Sequence, residues 1–212
     1  EKDAANFDDL LEQDYDGRII PFHTLADKIL RKLRREDLYD DKTAVQTLLA
    51  MHLYGPDGWN SEKILYVSYK IRDALNLEKY VSINDLEAKD GNFKWYKEYE
   101  EAHGKTDASK SEYDKELIKL GERYRILKEI FQFQYLRIIP IPGDDNGTWT
   151  WPFAREMQDK DQTNNAISLN LLRSAFLVSQ GDKSVSMDDV KKNLQLLKDN
   201  QWKELKAYEA TH

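Results

Sequence analysis

At 212 residues the chain is long enough to bury a core, and 33% charged, 40% hydrophobic and 11% aromatic residues describe a folded, well-solvated protein rather than a disordered one. A formal charge of −7 argues against nucleic acid as a partner, because neutralising phosphates demands a surplus of Lys and Arg. With no cysteine, disulfides, thiolate metal sites and cysteine nucleophiles are excluded within the chain. No stretch reaches the roughly 20 apolar residues of a membrane-spanning helix; the densest, Leu136 to Ile141, is interrupted by Arg137 and Pro140. The chain opens on Glu1 rather than Met, as a piece of a longer protein would.

The pattern along the chain predicts a mainly α-helical protein, an irregular array of helical hairpins with one long central helix and an extended Pro-rich segment. Asp16-Gly17 reads as a turn and Pro21 holds Ile20 extended. Thr24-x-x-Asp27 has the form of a capping box and places a helix over Thr24 to about Glu36, with Leu25, Ile29, Leu30 and Leu33 on one face. A second helix, Lys42 to Leu53, ends at Tyr54-Gly55-Pro56-Asp57-Gly58, and Asn60 or Ser61 opens a third with Ile64, Leu65, Val67, Ile71 and Leu75 inward. Ser82-x-x-Asp85 starts a short helix stopped by Gly91, and Trp95, Tyr96 and Tyr99 belong to an aromatic-rich one.

The polar stretch His103 to Ser111 is the weakest part of the chain. We expect a single domain over 1–212, with two lobes (1–104 and 111–212) joined by 105–110 as the alternative. The longest helix is predicted from about Ser111 to Tyr135, with Tyr113, Leu117, Leu120, Tyr124, Leu127 and Phe131 as its buried stripe. Leu136 to Ile141 is extended and Gly143 to Gly147 a loop. Asn164 to Gln180 forms a helix stopped by Gly181, and Ser186-x-x-Asp189 caps the last one.

Several constellations carry possible chemistry. Lys28, Arg31, Lys32, Arg34 and Arg35 place five cations in eight residues, which suits an anionic partner such as haem propionates or lipid head groups. A solvated face is the simpler account, since Glu36, Asp37, Asp40 and Asp41 follow directly. Of the four histidines, His23, His52, His103 and His212, none has metal-ligand spacing, and His23 in the N-terminal turn is the best placed. No catalytic residue and no metal site is assigned. Carboxylates are many, but no spacing singles out an acid and a base, so a hydrolase reading has little support.

Three separated blocks nonetheless resemble one family. Residues 7–35 contain Gln13-Asp14-Tyr15-Asp16-Gly17-Arg18-Ile19-Ile20-Pro21-Phe22-His23-Thr24; residues 112–126 contain Asp114-Lys115-Glu116, Ile118 and Glu122-Arg123; residues 138–149 read Pro-x-Pro-Gly-Asp-x-Asn-Gly-Thr-Trp, with Gly147 inserted into the usual Asn-to-Thr spacing. Together they resemble the soluble extracytoplasmic region of Ccs-type (system II) cytochrome c biogenesis proteins of the Bacteroides kind.

The Trp149-Thr150-Trp151-Pro152 segment is not that family's tryptophan-rich haem-handling loop, which begins Trp-Gly and ends Trp-Asp. The resemblance implies a non-catalytic domain on the periplasmic side of the inner membrane, within a larger membrane protein. Its partners would be the parent's transmembrane part and apocytochrome c. Haem would be held by the parent, with no cofactor assigned to this stretch. Arg18, Pro21 and Thr24 become the central residues, with Trp149 next, although Arg18 could serve only turn carbonyls and Thr24 only as a cap. The alternative is a helical peptide- or protein-binding adaptor unrelated to haem, which an exposed aromatic groove without cationic haem contacts would favour.

Overall fold

A computed structural model of the chain describes residues 2–154 and 162–210. Among them are eight α-helices and three small two-stranded antiparallel sheets. After a 3-10 turn, Lys2–Phe7, β1 (Leu11–Gln13) pairs with β2 (Ile19–Pro21), with Glu12 opposite Ile20. Helices α1 (Phe22–Arg34) and α2 (Ala44–Trp59) form a hairpin. Strand β3 (Leu65–Tyr66), α3 (Tyr69–Leu75), β4 (Tyr80–Val81), α4 (Ile83–Leu86) and α5 (Tyr96–Gly104) follow. The central helix α6 (Glu112–Phe131) packs on α1, α2, α3 and α5. Strands β5 (Ile139–Pro140) and β6 (Trp149–Thr150) flank the 143–147 loop, and α7 (Gln162–Ser179) pairs with α8 (Met187–Glu209).

Local signals explain most helix starts. Ser82, Ser111 and Ser186 each close a reciprocal capping box with the Asp three residues on, as does Thr43 with Gln46. One hydrophobic cluster runs through the protein from Phe7 to Leu197, with Phe22, Leu33, Ile71, Leu117, Leu120, Leu127 and Leu197 fully buried in it. The segment 105–110 makes a short 3-10 turn, Asp107–Ser109, and Lys105 reaches Asp114 at 2.7 Å.

Four expectations are corrected. Helix α1 begins at Phe22, and Thr24 is not its cap: the first free N–H groups, of Phe22 and His23, donate to the carbonyls of Leu10 (2.7 Å) and Asp8 (3.2 Å). Pro21 sits at the N-cap with φ −64° and ψ 145° and no side-chain cap. Ile64, Leu65 and Val67 are buried, but on extended chain beside β4 rather than on a helix, and Ser68 caps α3 instead. Helix α6 stops at Phe131, and Phe133 turns the chain with φ 61°. Among the described residues the longest helix is therefore α8, at 23 residues against 20 for α6.

Candidate functional site

The first and third resembling blocks meet at the end of the molecule where α1 begins. The 14–18 turn is built on Asp14, which is buried. Its Oδ1 accepts from the N–H groups of Asp16 and Arg18, both at 3.0 Å, and its Oδ2 from the Arg18 guanidinium at 3.0 and 3.2 Å. Burial pushes the Asp14 carboxyl upward, but these hydrogen bonds and the Arg18 charge outweigh it and hold the pKa below the usual carboxylate value. Gly17 takes φ 81°, which a side chain would oppose. Arg18 also meets Asp16 at 2.7 Å, so it binds the turn's carboxylates rather than its carbonyls.

Two buried glutamines join this turn to the rest. The Gln13 amide donates to the carbonyls of Gly17 (3.2 Å) and Gly147 (2.9 Å), and its oxygen accepts from the Trp149 N–H (2.8 Å). Gln201 on α8, wholly buried, donates to the carbonyls of Leu11 (2.7 Å) and Ile138 (2.8 Å) and accepts from the Leu11 N–H (3.1 Å). Each amide replaces a missing strand neighbour for backbone that would otherwise be buried without partners.

Between the two hairpins and the end of α8 lies a groove of about 480 Å³. Ile19, Ile141 and Leu205 give it apolar walls, and its charged lining is acidic: Asp144, Asp145 and Glu204. Asp144 shapes the 143–147 loop by accepting from the Thr148 N–H at 2.8 Å. Gly147, at φ 60°, brings that loop so close to Tyr208 that a Cβ would stand 3.0 Å from the ring. Trp149 also lines the groove but is buried, with little of it open to solvent.

The second resembling block meets the other end of α1. Arg123 on α6 is buried and donates to the Lys32 carbonyl at 2.8 Å, one of the free carbonyls in the last turn of α1, while Lys32 itself reaches Glu122 at 2.7 Å. The structure thus gathers Arg18, Pro21, His23, Thr24 and Trp149 at one end. The basic run does not present a common face. Lys28 faces Asp14 at 3.6 Å, Arg31 pairs with Asp37 at 2.5 Å, Lys32 turns to α6, and Arg35 lies over the Tyr66 ring at 4.8 Å.

His23 is exposed and both ring nitrogens are engaged. Nδ1–H donates to the Asp8 carbonyl at 2.9 Å, which leaves Nε2 to accept from the Thr24 hydroxyl at 3.2 Å. This arrangement makes Thr24 a partner of His23. His103 lies on α5 against Tyr99, and His212 lies outside the described residues. His52 is buried on α2, stacked on Phe133 at 5.6 Å, with neither nitrogen hydrogen-bonded in good geometry. Burial drives its pKa down to about 4, against the opposing Ile130 backbone.

Among the described residues no group of three or more His, Cys, Asp or Glu side chains is arranged to hold a metal, and no helix is long and apolar enough to cross a membrane. Sequence reasoning missed Gln13 and Gln201. A polar residue on an otherwise apolar helix face, as Gln201 is between Leu197 and Leu205, was the available signal.

No family model matches the chain. It is similar to a curated protein, NrfI of Wolinella succinogenes, with 27% identity over 149 residues. That stretch is 69% of this chain and only 16% of NrfI, so the chain spans less than a fifth of that relative.

Proposed function

We propose that this chain acts in cytochrome c biogenesis, as a non-catalytic domain on the periplasmic side of a larger membrane protein. Its role there is to dock the apocytochrome. Two likenesses support the reading: the three sequence blocks that resemble a Ccs-type protein, and the similarity to NrfI over 149 residues. The observation that carries it is spatial. Blocks more than a hundred residues apart meet through Gln13, and their meeting forms the groove. The groove's acidic lining suits a basic segment of a protein partner better than the carboxylates of haem.

The test is paired. A peptide containing a Cys-x-x-Cys-His motif flanked by lysines is titrated into the chain and into Asp145→Lys and Glu204→Lys variants. Haem is titrated in parallel and followed at the Soret band. The reading expects saturable peptide binding weakened about 10-fold by each reversal, and no saturable haem binding. Peptide binding unchanged by the reversals overturns the groove as the docking site. Haem binding abolished by His23→Ala makes this a haem-handling domain instead.

A second reading, a helical adaptor unrelated to haem, is favoured by one observation: Tyr54 and Phe176 are both partly exposed and meet edge to face at 6.2 Å. It predicts peptide binding that Phe176→Ala weakens and the groove reversals leave alone.

A further inference from the structure

A second cavity lies beside α6 and shares no lining residue with the groove. Helices α5 and α6 touch where an edge of the Tyr99 ring meets Gly121, so closely that a Cβ on Gly121 would sit 2.4 Å from it. Past that contact the helices leave a cleft of about 290 Å³. The rings of Phe93, Tyr99 and Tyr124 line it, with Tyr96 on the rim; Arg125 and Lys128 are its lining cations. The walls are held firmly. Phe93 is buried, its ring 5.4 Å from that of Tyr124 and 6.1 Å from that of Tyr99, and the Tyr124 hydroxyl donates to the Gly91 carbonyl at 3.0 Å. Tyr96 stands apart, 54% exposed on the rim, with no other ring against it among the described residues.

The mouth is polarised. Arg125 is anchored by Glu129 at 2.8 Å and Lys128 by Glu87 at 2.8 Å. Each anchor uses one donor of a cation that has several: five N–H groups on a guanidinium, three on an ammonium. Of the charged lining residues two are cations and one, Glu129, is a carboxylate. The cleft therefore offers flat, quadrupolar walls at its base and spare charged donors about one helical turn further along α6. Its volume equals the share of about ten water molecules, enough for one ring, a short linker and a carboxylate.

We propose that this cleft is a binding site for a monocyclic aromatic carboxylate, with the ring between Phe93, Tyr96 and Tyr124 and the carboxylate on Arg125 and Lys128. The same chemistry is presented by a free arylalkanoic acid and by the C-terminal aromatic residue of a peptide.

The experiment is calorimetric titration of the full chain with 3-phenylpropionate, with its uncharged analogue 3-phenylpropan-1-ol, and with the tripeptide Gly-Gly-Phe. Tyr96→Ala and Lys128→Met are titrated alongside, since Tyr96 is exposed and Lys128 lies at the mouth; urea midpoints confirm that both remain folded. One-site binding of 3-phenylpropionate with a dissociation constant on the order of 1 mM or tighter is expected. Each variant and the alcohol should bind about 5-fold or more weakly. Whichever of 3-phenylpropionate and Gly-Gly-Phe binds better identifies the source of the shared chemistry. No saturation up to about 20 mM of either carboxylate, or equal binding by both folded variants, overturns the proposal, as does equal affinity for the alcohol.

Discussion

Gln201 and His52 are both polar, both buried and both on long helices, yet they do opposite things. Gln201 satisfies three backbone groups at the junction of α8, β1 and the 136–141 segment. His52 sits against Phe133 on the seam of α2 and α6 and satisfies none. A buried amide with all its partners specifies one arrangement of the chain, because every competing arrangement strands those groups. A buried imidazole without partners is tolerated only while neutral, so it ties that seam to pH instead. The groove end of the molecule is thus pinned by well-formed polar contacts, and the α2–α6 seam at His52 mainly by apolar packing.

The largest effect should come from breaking the pinned end. Gln201→Leu keeps the helix and the volume but leaves the Leu11 N–H and the Leu11 and Ile138 carbonyls buried without partners. We expect a loss of about 3–5 kcal/mol by urea denaturation. A loss under about 1 kcal/mol would mean that water reaches these groups and that the end is not pinned. Gln13→Leu should cost about 2–3 kcal/mol by the same reasoning. It should also expose the Trp149 amide to fast hydrogen exchange, since its acceptor is gone.

The seam is tested by pH. Native His52 has a pKa of about 4 against an ordinary 6.5, so between these values the unfolded chain binds a proton that the folded chain refuses. Stability contributed by the neutral ring is complete above pH 6.5 and lost as pH falls towards 4, by about 3 kcal/mol in all. His52→Leu should remove this slope while changing stability at pH 7.5 little.

Glu12, buried beside β2, pulls the other way. Burial and the Asp14 charge raise its pKa well above the usual value, so its contribution is present at low pH and lost as pH rises through that raised value. The difference between wild type and His52→Leu across pH 4 to 7 isolates the histidine. A slope unchanged in the variant would assign the acid sensitivity elsewhere.

The contrast also explains what could be read from the residues beforehand. Ser82, Ser111 and Ser186 were legible as helix starts because both halves of a capping box lie within four residues. The apolar stripe of α6 was legible for the same reason. Gln13 and Gln201 were not, because their partners lie up to 136 and 190 residues away: the apolar face around Gln201 signals only that it is inward, and no local pattern names the groups it serves. Ile64, Leu65 and Val67 show a third case. They were recognised as inward-facing, but a short apolar run reads alike as helix or buried strand, and the pairing with Tyr80 and Val81 decided it.

A smaller effect probes the groove's wall. Gly147 at φ 60° lies in the left-handed region, and a methyl group there would also press on Tyr208. Gly147→Ala should cost about 1 kcal/mol in thermal or urea denaturation. Gly143→Ala, in the same loop at φ 67° but with open space around it, should carry only the backbone part of that cost. The difference between the two measures the Tyr208 contact.

The smallest predicted effect is the most discriminating for how motifs should be read. Thr24 and Ser111 both head a Ser/Thr-x-x-Asp pattern, and the pattern alone would give their truncations equal weight. Ser111 does cap: it accepts from the Asp114 N–H, and the Asp114 carboxylate accepts from the Ser111 N–H at 2.8 Å. Ser111→Ala should therefore cost about 1 kcal/mol. Thr24 lies inside α1, whose leading N–H groups are already taken by the carbonyls of Leu10 and Asp8, and its hydroxyl meets only the exposed His23 ring. Thr24→Ala should fall within about 0.5 kcal/mol of wild type. A cost near that of Ser111→Ala would mean that α1 is capped by its own side chain. The contact of α1 with the 8–10 backbone, which sets the hairpin and with it the groove, would then be secondary.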